Sequence, residues 1–273
     1  MTNQAVLSID VELFEQTPAY RTATGSMTTN GVGIDGLRFL RQELRKRDIT
    51  TTCFVVSSLV EDFPTPIRVL ADEGHEIGSH THSHKLLSKL EPAERQQELQ
   101  TSCDILESVT GNTPQGFRAP AFDTPPEHYR MLGDAGYQYD ASIVPSRRIP
   151  GWYGGEHNIH RPCLATTVDP EAPADLTVVP TSVIPGLRLP LTGTWLRFFG
   201  PQYTILGMRL LARRGITPIL YVHPWEFVEL PTVDGVPRRV YFRTGDWMRR
   251  AVSRILDRPF DFTTIQNILA EQN

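Results

Sequence analysis

The feature that most restricts how this chain can fold is a series of short apolar runs, rich in β-branched residues, that alternate with helical patterns. Residues 5–9, 52–56, 139–144, 178–184 and 219–222 are compact and bounded by polar or turn residues, as strands buried on both faces are. Residues 76–79 and 116–118 read as two shorter members of the series. Between them, Leu37, Leu40 and Leu44 mark one helix face ahead of the basic cluster Arg45-Lys46-Arg47. A long helix opens at Pro92 with Glu94 in its first turn, turns Leu99, Cys103, Leu106 and Val109 inward and stops at Gly111. Further helices are expected over 126–135, 203–214, 246–256 and 264–271. Strand, helix, strand in repeated order requires parallel pairing, with the helices covering the sheet. The expected fold class is therefore α/β: a distorted, incomplete (β/α) barrel of about seven parallel strands, in a single domain spanning 1–273. An irregular, Pro- and Gly-rich insertion is expected near 145–175, and a C-terminal extension after about 226.

Composition closes off several functions. With 273 residues, 40% hydrophobic and 21% charged, the chain can build a sizeable core. A net charge of -4 and a pI near 6.1 provide no basic field, so nucleic acid is not an expected partner. No stretch has the length and apolarity of a membrane span, and the first residues lack a basic leader, so a cytoplasmic protein is expected. Cys53, Cys103 and Cys163 are odd in number and lack CxxC spacing, which reads as buried free thiols.

The chemistry-bearing residues follow the strands. Asp10 and Glu12 come after the first run, His80 and His84 after 76–79, Arg118 after Phe117, and His223 after 219–222. In a barrel all of them gather at the C-terminal rim, where active sites of such folds sit. Histidines four apart can share one divalent cation, and two acids one residue apart can supply a third ligand and a base. His82, between the two, is expected to point away. An acid pair behind an apolar strand must find a cation or an arginine, and Arg118 can be that arginine. His223, at the rim opposite the histidine pair, is placed for a general acid. Trp152 and Tyr153 in the insertion could stack on a sugar ring, and Trp195, Phe198 and Phe199 offer similar faces.

Taken together, Ser8-Ile9-Asp10-Val11-Glu12, His80-Thr81-His82-Ser83-His84, Phe117-Arg118-Ala119-Pro120-Ala121-Phe122, Tyr139-Asp140-Ala141-Ser142-Ile143 and Leu220-Tyr221-Val222-His223-Pro224 resemble the five motifs of the NodB-homology polysaccharide deacetylases, carbohydrate esterase family four. They stand in the family's order. The wording of the later motifs is similar to the branch associated with exopolysaccharide or surface-glycan biosynthesis. The resemblance implies one divalent metal, zinc, held by Glu12, His80 and His84. It implies Asp10 as base, Arg118 as the partner of Asp10, His223 as acid and Asp140 as a support for His223. It also implies backbone amides near Ala121 and Phe122 as oxyanion donors. The implied substrate is an amino-sugar glycan, or a lipid- or nucleotide-linked precursor, that loses N-acetyl groups. The family's adjacent aspartates are here separated by Val11, so the division of roles between Asp10 and Glu12 is inferred from alignment and reach. Alternatives are deformylation or cyclic-amide hydrolysis at the same site and, from another class, noncatalytic carbohydrate binding.

Overall fold

Side chains along β1 (Gln4–Val11) sort into two sets that organise the molecule. A computed structural model describes residues 3–149, 154–155 and 157–271. Ala5, Leu7, Ile9 and Val11 point outward into the main core, where they meet Leu37, Leu40 and Leu44 of the helix Ile34–Arg45 and Met248, Val252 and Ile255 of the helix Asp246–Leu256. Val6, Ser8 and Asp10 point the other way, because successive residues of a strand alternate between faces. Val6 joins an inner core with Phe54, Tyr139, Val179 and Ile219, plugged from below by Ile265 and Ile268 of the helix Ile265–Ala270. Along one strand the interior thus passes from oil at Val6 to polar groups at Ser8 and Asp10.

The remaining strands are β2 (Thr52–Val55), β3 (Glu76–Ser79), β4 (Gly116–Phe117), β5 (Tyr139–Asp140), β6 (Cys163–Leu164), β7 (Thr177–Val178), β8 (Ile219–Val222) and β9 (Asp261–Phe262). Together with β1 they form one sheet, ordered β6-β7-β5-β4-β3-β2-β1-β8 with β9 beside the start of β1. Every pairing is parallel except β6 with β7. The sheet curls into an incomplete barrel, as expected. The antiparallel edge β6 was not expected: it lies inside the stretch read as an irregular insertion, and it leaves Cys163 only partly buried.

The barrel opens between β7 and β8, and the reason lies in the run 178–184. That run is not the continuous strand its composition suggests. The amides of Thr177, Val179 and Thr181 donate to carbonyls of 138, 140 and 143, so pairing on the β5 side persists irregularly. The intervening residues face the seam, and one of them, Pro180, has no N–H to give. Ser182 repairs part of the gap: its carbonyl accepts from the Leu191 amide and its hydroxyl accepts from the Ile219 amide, both at 2.8 Å. A single bridge between Thr192 and Tyr221 completes the closure.

Helices over Pro92–Thr110 and Asp246–Leu256 match their sequence patterns, the first ending in a left-handed Gly111 at φ 75°. The short helices Pro18–Thr24, Pro64–Asp72 and Gly193–Phe199 carry too few turns to show a periodic face in the sequence.

Outside the barrel, Glu43 ties two helices together although it is only 5% exposed. Its carboxylate accepts from Lys46 Nζ (2.6 Å), Arg47 Nη1 (2.9 Å) and Ser253 Oγ (2.5 Å). Burial pushes this carboxyl up, but the three donors outweigh it and hold it down at about 2. Glu43→Gln is expected to lose about 1–3 kcal/mol at pH 7 by urea unfolding. Because the folded value lies below the ordinary 4.5, the difference between wild type and variant is complete above that pH and shrinks as pH falls toward about 2. Equal midpoints at pH 7 would remove Glu43 from the account of stability.

Candidate active site

Asp10 and Glu12 sit at the end of β1 with both carboxylates inward, since residues two apart in a strand share a face. The Glu12 amide donates back to the Asp10 carbonyl at 2.9 Å, which turns the chain just after Val11. His80 follows β3, and Thr81 and His84 adopt left-handed backbone at φ 64° and 56°. That turn brings His84 over His80, ring centroids 4.8 Å apart. His82 is drawn aside to Ser57 Oγ at 3.0 Å. Among the described residues, Glu12, His80 and His84 are one group whose potential ligand atoms all lie within 4.8 Å of one another.

The protonation of both imidazoles can be read from their partners. His80 Nδ1 lies 2.6 Å from the Arg118 carbonyl, and His84 Nδ1 lies 2.9 Å from the Gln16 carbonyl. A carbonyl only accepts, so each Nδ1 carries the proton. Burial pushes His80 down to about 4, so its ring is neutral and its Nε2 presents a lone pair. His84 Nε2 is buried and lies 2.5 Å from Glu12 Oε2. Burial alone would raise the Glu12 carboxyl, but His84 and its neighbours hold it well below the usual carboxylate range. A lone pair facing a carboxylate at that distance needs a positive charge between or upon them. A divalent cation fits this donor set of two imidazoles, oriented by backbone acceptors, and one carboxylate.

Asp10 is held apart from that trio. Arg118 Nη1 reaches its Oδ1 at 2.5 Å and Ser8 Oγ at 3.0 Å, while Nε donates to the Ala141 carbonyl at 3.1 Å. The guanidinium lies 4.2 Å from the Phe54 ring centroid and is 1% exposed. Beyond Arg118, Ala121 and Phe122 are also left-handed, at φ 51° and 60°. Four of the seven nonglycine residues with such backbone among those described therefore lie in the two rim loops, where strain of this kind tends to be kept for function. The Phe122 amide is occupied by the Ala119 carbonyl at 3.0 Å, so of the two expected donors only Ala121 is left to face a ligand.

Asp140 does not support His223. It is fully buried and faces His128 Nε2 at 3.1 Å, and its Oδ1 accepts from Ser142 Oγ at 2.5 Å. Ser142 Oγ in turn accepts from the Ala119 amide at 2.8 Å, so Asp140 steadies the loop carrying Ala121. Its neighbours Tyr139 and Ala141 point into the inner core, so by strand alternation Asp140 faces outward, away from the cleft. The partner of His223 is Glu226: Oε2 accepts from the His223 amide at 3.0 Å and faces Nδ1 at 3.2 Å. Burial disfavours the charged ring, yet Glu226 overrides this and raises His223 to about 9. Glu226 is itself held by Arg197 Nε at 2.8 Å, and a Cβ placed on Gly193 would come 2.0 Å from Glu226 Oε2. Trp225 completes the group, donating from Nε1 to Glu12 Oε1 at 2.9 Å while stacking on His223 with centroids 5.1 Å apart. Glu226 three residues after His223 is a capping-box spacing visible in the sequence. Arg197 and Trp225 gave no such sign.

Asp10, Glu12, His80, His84, Ala121 and His223 all line one cleft of about 290 Å³. Trp152 and Tyr153 lie outside the described residues.

The polysaccharide deacetylase family profile matches residues 40–139, and the profile of a domain of unknown function, DUF3473, matches 141–270. Peptidoglycan deacetylase of Helicobacter pylori is 26% identical over 115 residues, 42% of this chain and 39% of that protein. Peptidoglycan-N-acetylglucosamine deacetylase of Bacillus cereus is 32% identical over 78 residues, 29% of this chain and 28% of that protein. The chain thus spans well under half the length of these relatives. A solved Mycobacterium smegmatis structure, provisionally named a polysaccharide deacetylase, shares the fold with TM-score 0.60 and 20% identity over 98% of this chain and 90% of that one. Residues 40–139 are thus a polysaccharide deacetylase domain of the NodB-homology, carbohydrate esterase family four type, followed by the DUF3473 region over 141–270.

Proposed function

We propose that this chain is a metal-dependent hydrolase that removes N-acetyl groups from the amino sugars of a glycan, or of a lipid- or nucleotide-linked precursor, in glycan biosynthesis. The observation that carries the reading is the separation of two acids one residue apart. Glu12 shares its space with two imidazoles whose ring nitrogens lie within 4.8 Å of its carboxylate, whereas Asp10 is tied to Arg118.

Glu12, His80 and His84 would hold the cation, and zinc suits a site of two imidazoles and one carboxylate. When bound, that ion supplies polarisation of the acyl carbonyl and a more acidic water. Asp10, fixed by Arg118, accepts the proton of the attacking water. The Ala121 amide donates to the oxygen that gains charge as the carbonyl carbon becomes tetrahedral. His223, charged through its contact with Glu226, hands its proton to the departing sugar nitrogen, which leaves as a neutral amine. The products are acetate and a free amino sugar. A formamide or a cyclic amide would use the same groups, so the acyl group is read from the acid released. The noncatalytic alternative calls for a missing ligand or acid, and each one is present in the cleft.

Zinc-loaded protein is expected to release acetate from N-acetylglucosamine oligomers, to stop on chelation and to recover with zinc; formate release without acetate would replace the deacetylase reading with deformylation. Asp10→Asn should retain zinc by elemental analysis while kcat falls roughly 10²–10⁴-fold, and Glu12→Ala should lose the metal. The reverse pattern would exchange the two roles. For His223, Glu226→Gln is expected to lower kcat roughly 10–100-fold with metal content unchanged. Gly193→Ala should act in the same direction, although alanine ordinarily favours a helix over glycine by about 1 kcal/mol; unchanged kcat in both variants would show that His223 needs no fixed partner.

A further inference from the structure

Five of the seven exposed large hydrophobic side chains among the described residues, Leu187, Phe198, Phe199, Leu206 and Phe242, fall within 187–242. The same part of the chain is strongly basic. Residues 187–258 contain twelve arginines and five carboxylates, although the whole chain carries 31 acids against 27 Lys and Arg. The four helices Gly193–Phe199, Pro201–Arg213, Arg238–Tyr241 and Asp246–Leu256 hold a single acid, Asp246.

The rings and the charges fall into two clusters that share the helix Gly193–Phe199. Phe198 stacks on Phe242 with centroids 5.7 Å apart, and Arg243 lies 4.9 Å from the ring centroids of both Phe242 and Trp247. Phe199 meets Tyr203 at 5.1 Å, one helical turn before Leu206. Next to Trp247, a furrow of about 370 Å³ is lined by Pro201, Arg250 and Arg254. Among the described residues no carboxylate pairs with Arg250 or Arg254, and both are exposed. The face also adjoins the active site: Thr194, on the helix that carries Phe198, and Val240, two residues before Phe242, line the catalytic cleft.

Exposed aromatic rings bordered by unpaired arginines match a bilayer interface, where rings settle among headgroups and guanidinium groups meet phosphates. We infer that this face docks on an anionic lipid surface, with the catalytic cleft beside it, so that the enzyme draws a lipid-carried amino-sugar glycan from the membrane. The identity of that cargo rests on the N-deacetylase reading; the docking does not.

The docking is read without substrate, by co-sedimentation with vesicles of phosphatidylcholine alone or mixed with phosphatidylglycerol, so its failure and that of the deacetylase reading are separable. Wild-type protein is expected to bind the mixed vesicles, to ignore phosphatidylcholine, and to release them as salt rises. The double variant Arg250→Glu, Arg254→Glu should bind roughly tenfold or more weakly while keeping its zinc and its acetate release from soluble oligomers. The double variant Phe198→Ser, Phe242→Ser should bind more weakly at low and high salt alike. Absence of binding to the mixed vesicles at low salt, or equal binding by wild type and the arginine variant, overturns the proposal. It is also overturned if Phe198→Ser raises KM on soluble oligomers without changing vesicle binding, which would make the rings a sugar platform. A wild-type dimer that the phenylalanine variant converts to monomer would instead assign the face to a second copy of the chain.

Discussion

An ion pair with almost no access to water, Arg118 with Asp10, stands where the barrel interior changes from apolar to polar. Such a pair survives only if its charges are compensated, because an uncompensated buried charge costs several kcal/mol. Arg118 meets that condition by touching much of the sheet. Its guanidinium donates to Ser8 and Asp10 of β1 and to the Ala141 carbonyl just past β5, and it lies against Phe54 of β2 and Tyr221 of β8. Its own carbonyl accepts from His80. One residue therefore couples the placement of Asp10 to the tautomer of His80, and both depend on the curl that brings β1, β4 and β8 to one rim.

Around this pair the site is built from outer contacts that orient inner groups. Backbone carbonyls fix the imidazole tautomers, Trp225 holds one oxygen of Glu12, Glu226 and Arg197 hold His223, and Asp140 with Ser142 steadies the loop of Ala121. The left-handed residues of the rim loops are tolerated because these contacts over-determine them. Each device narrows the orientations available to a side chain before any ligand arrives, which is how preorganised electrostatics lower a barrier.

Much of this was legible in order of appearance. Repeated strand and helix patterns implied parallel pairing, and the position of Asp10, His80, Arg118 and His223 after successive strands implied a common rim. The strand run 178–184 misled, because an apolar, β-branched composition says nothing of which residues face a neighbour, and Pro180 falls on the side that must close the barrel. Asp140 misled differently. Its place at a strand end is the same as that of the residues lining the cleft, but Tyr139 and Ala141 on either side of it point into the inner core, so Asp140 points outward to His128.

What the sequence by itself determined is the fold class, the resemblance to a deacetylase family and the set of residues gathered at one rim, because these depend on periodicity, strand order and residue type along the chain. Which acid faces the histidines, which partner holds His223, and which amide remains available were decided only by the tertiary structure. Those choices depend on distances of a few ångströms between segments far apart in sequence, such as Glu12 with Trp225 and Glu226 with Arg197, and no local pattern encodes them.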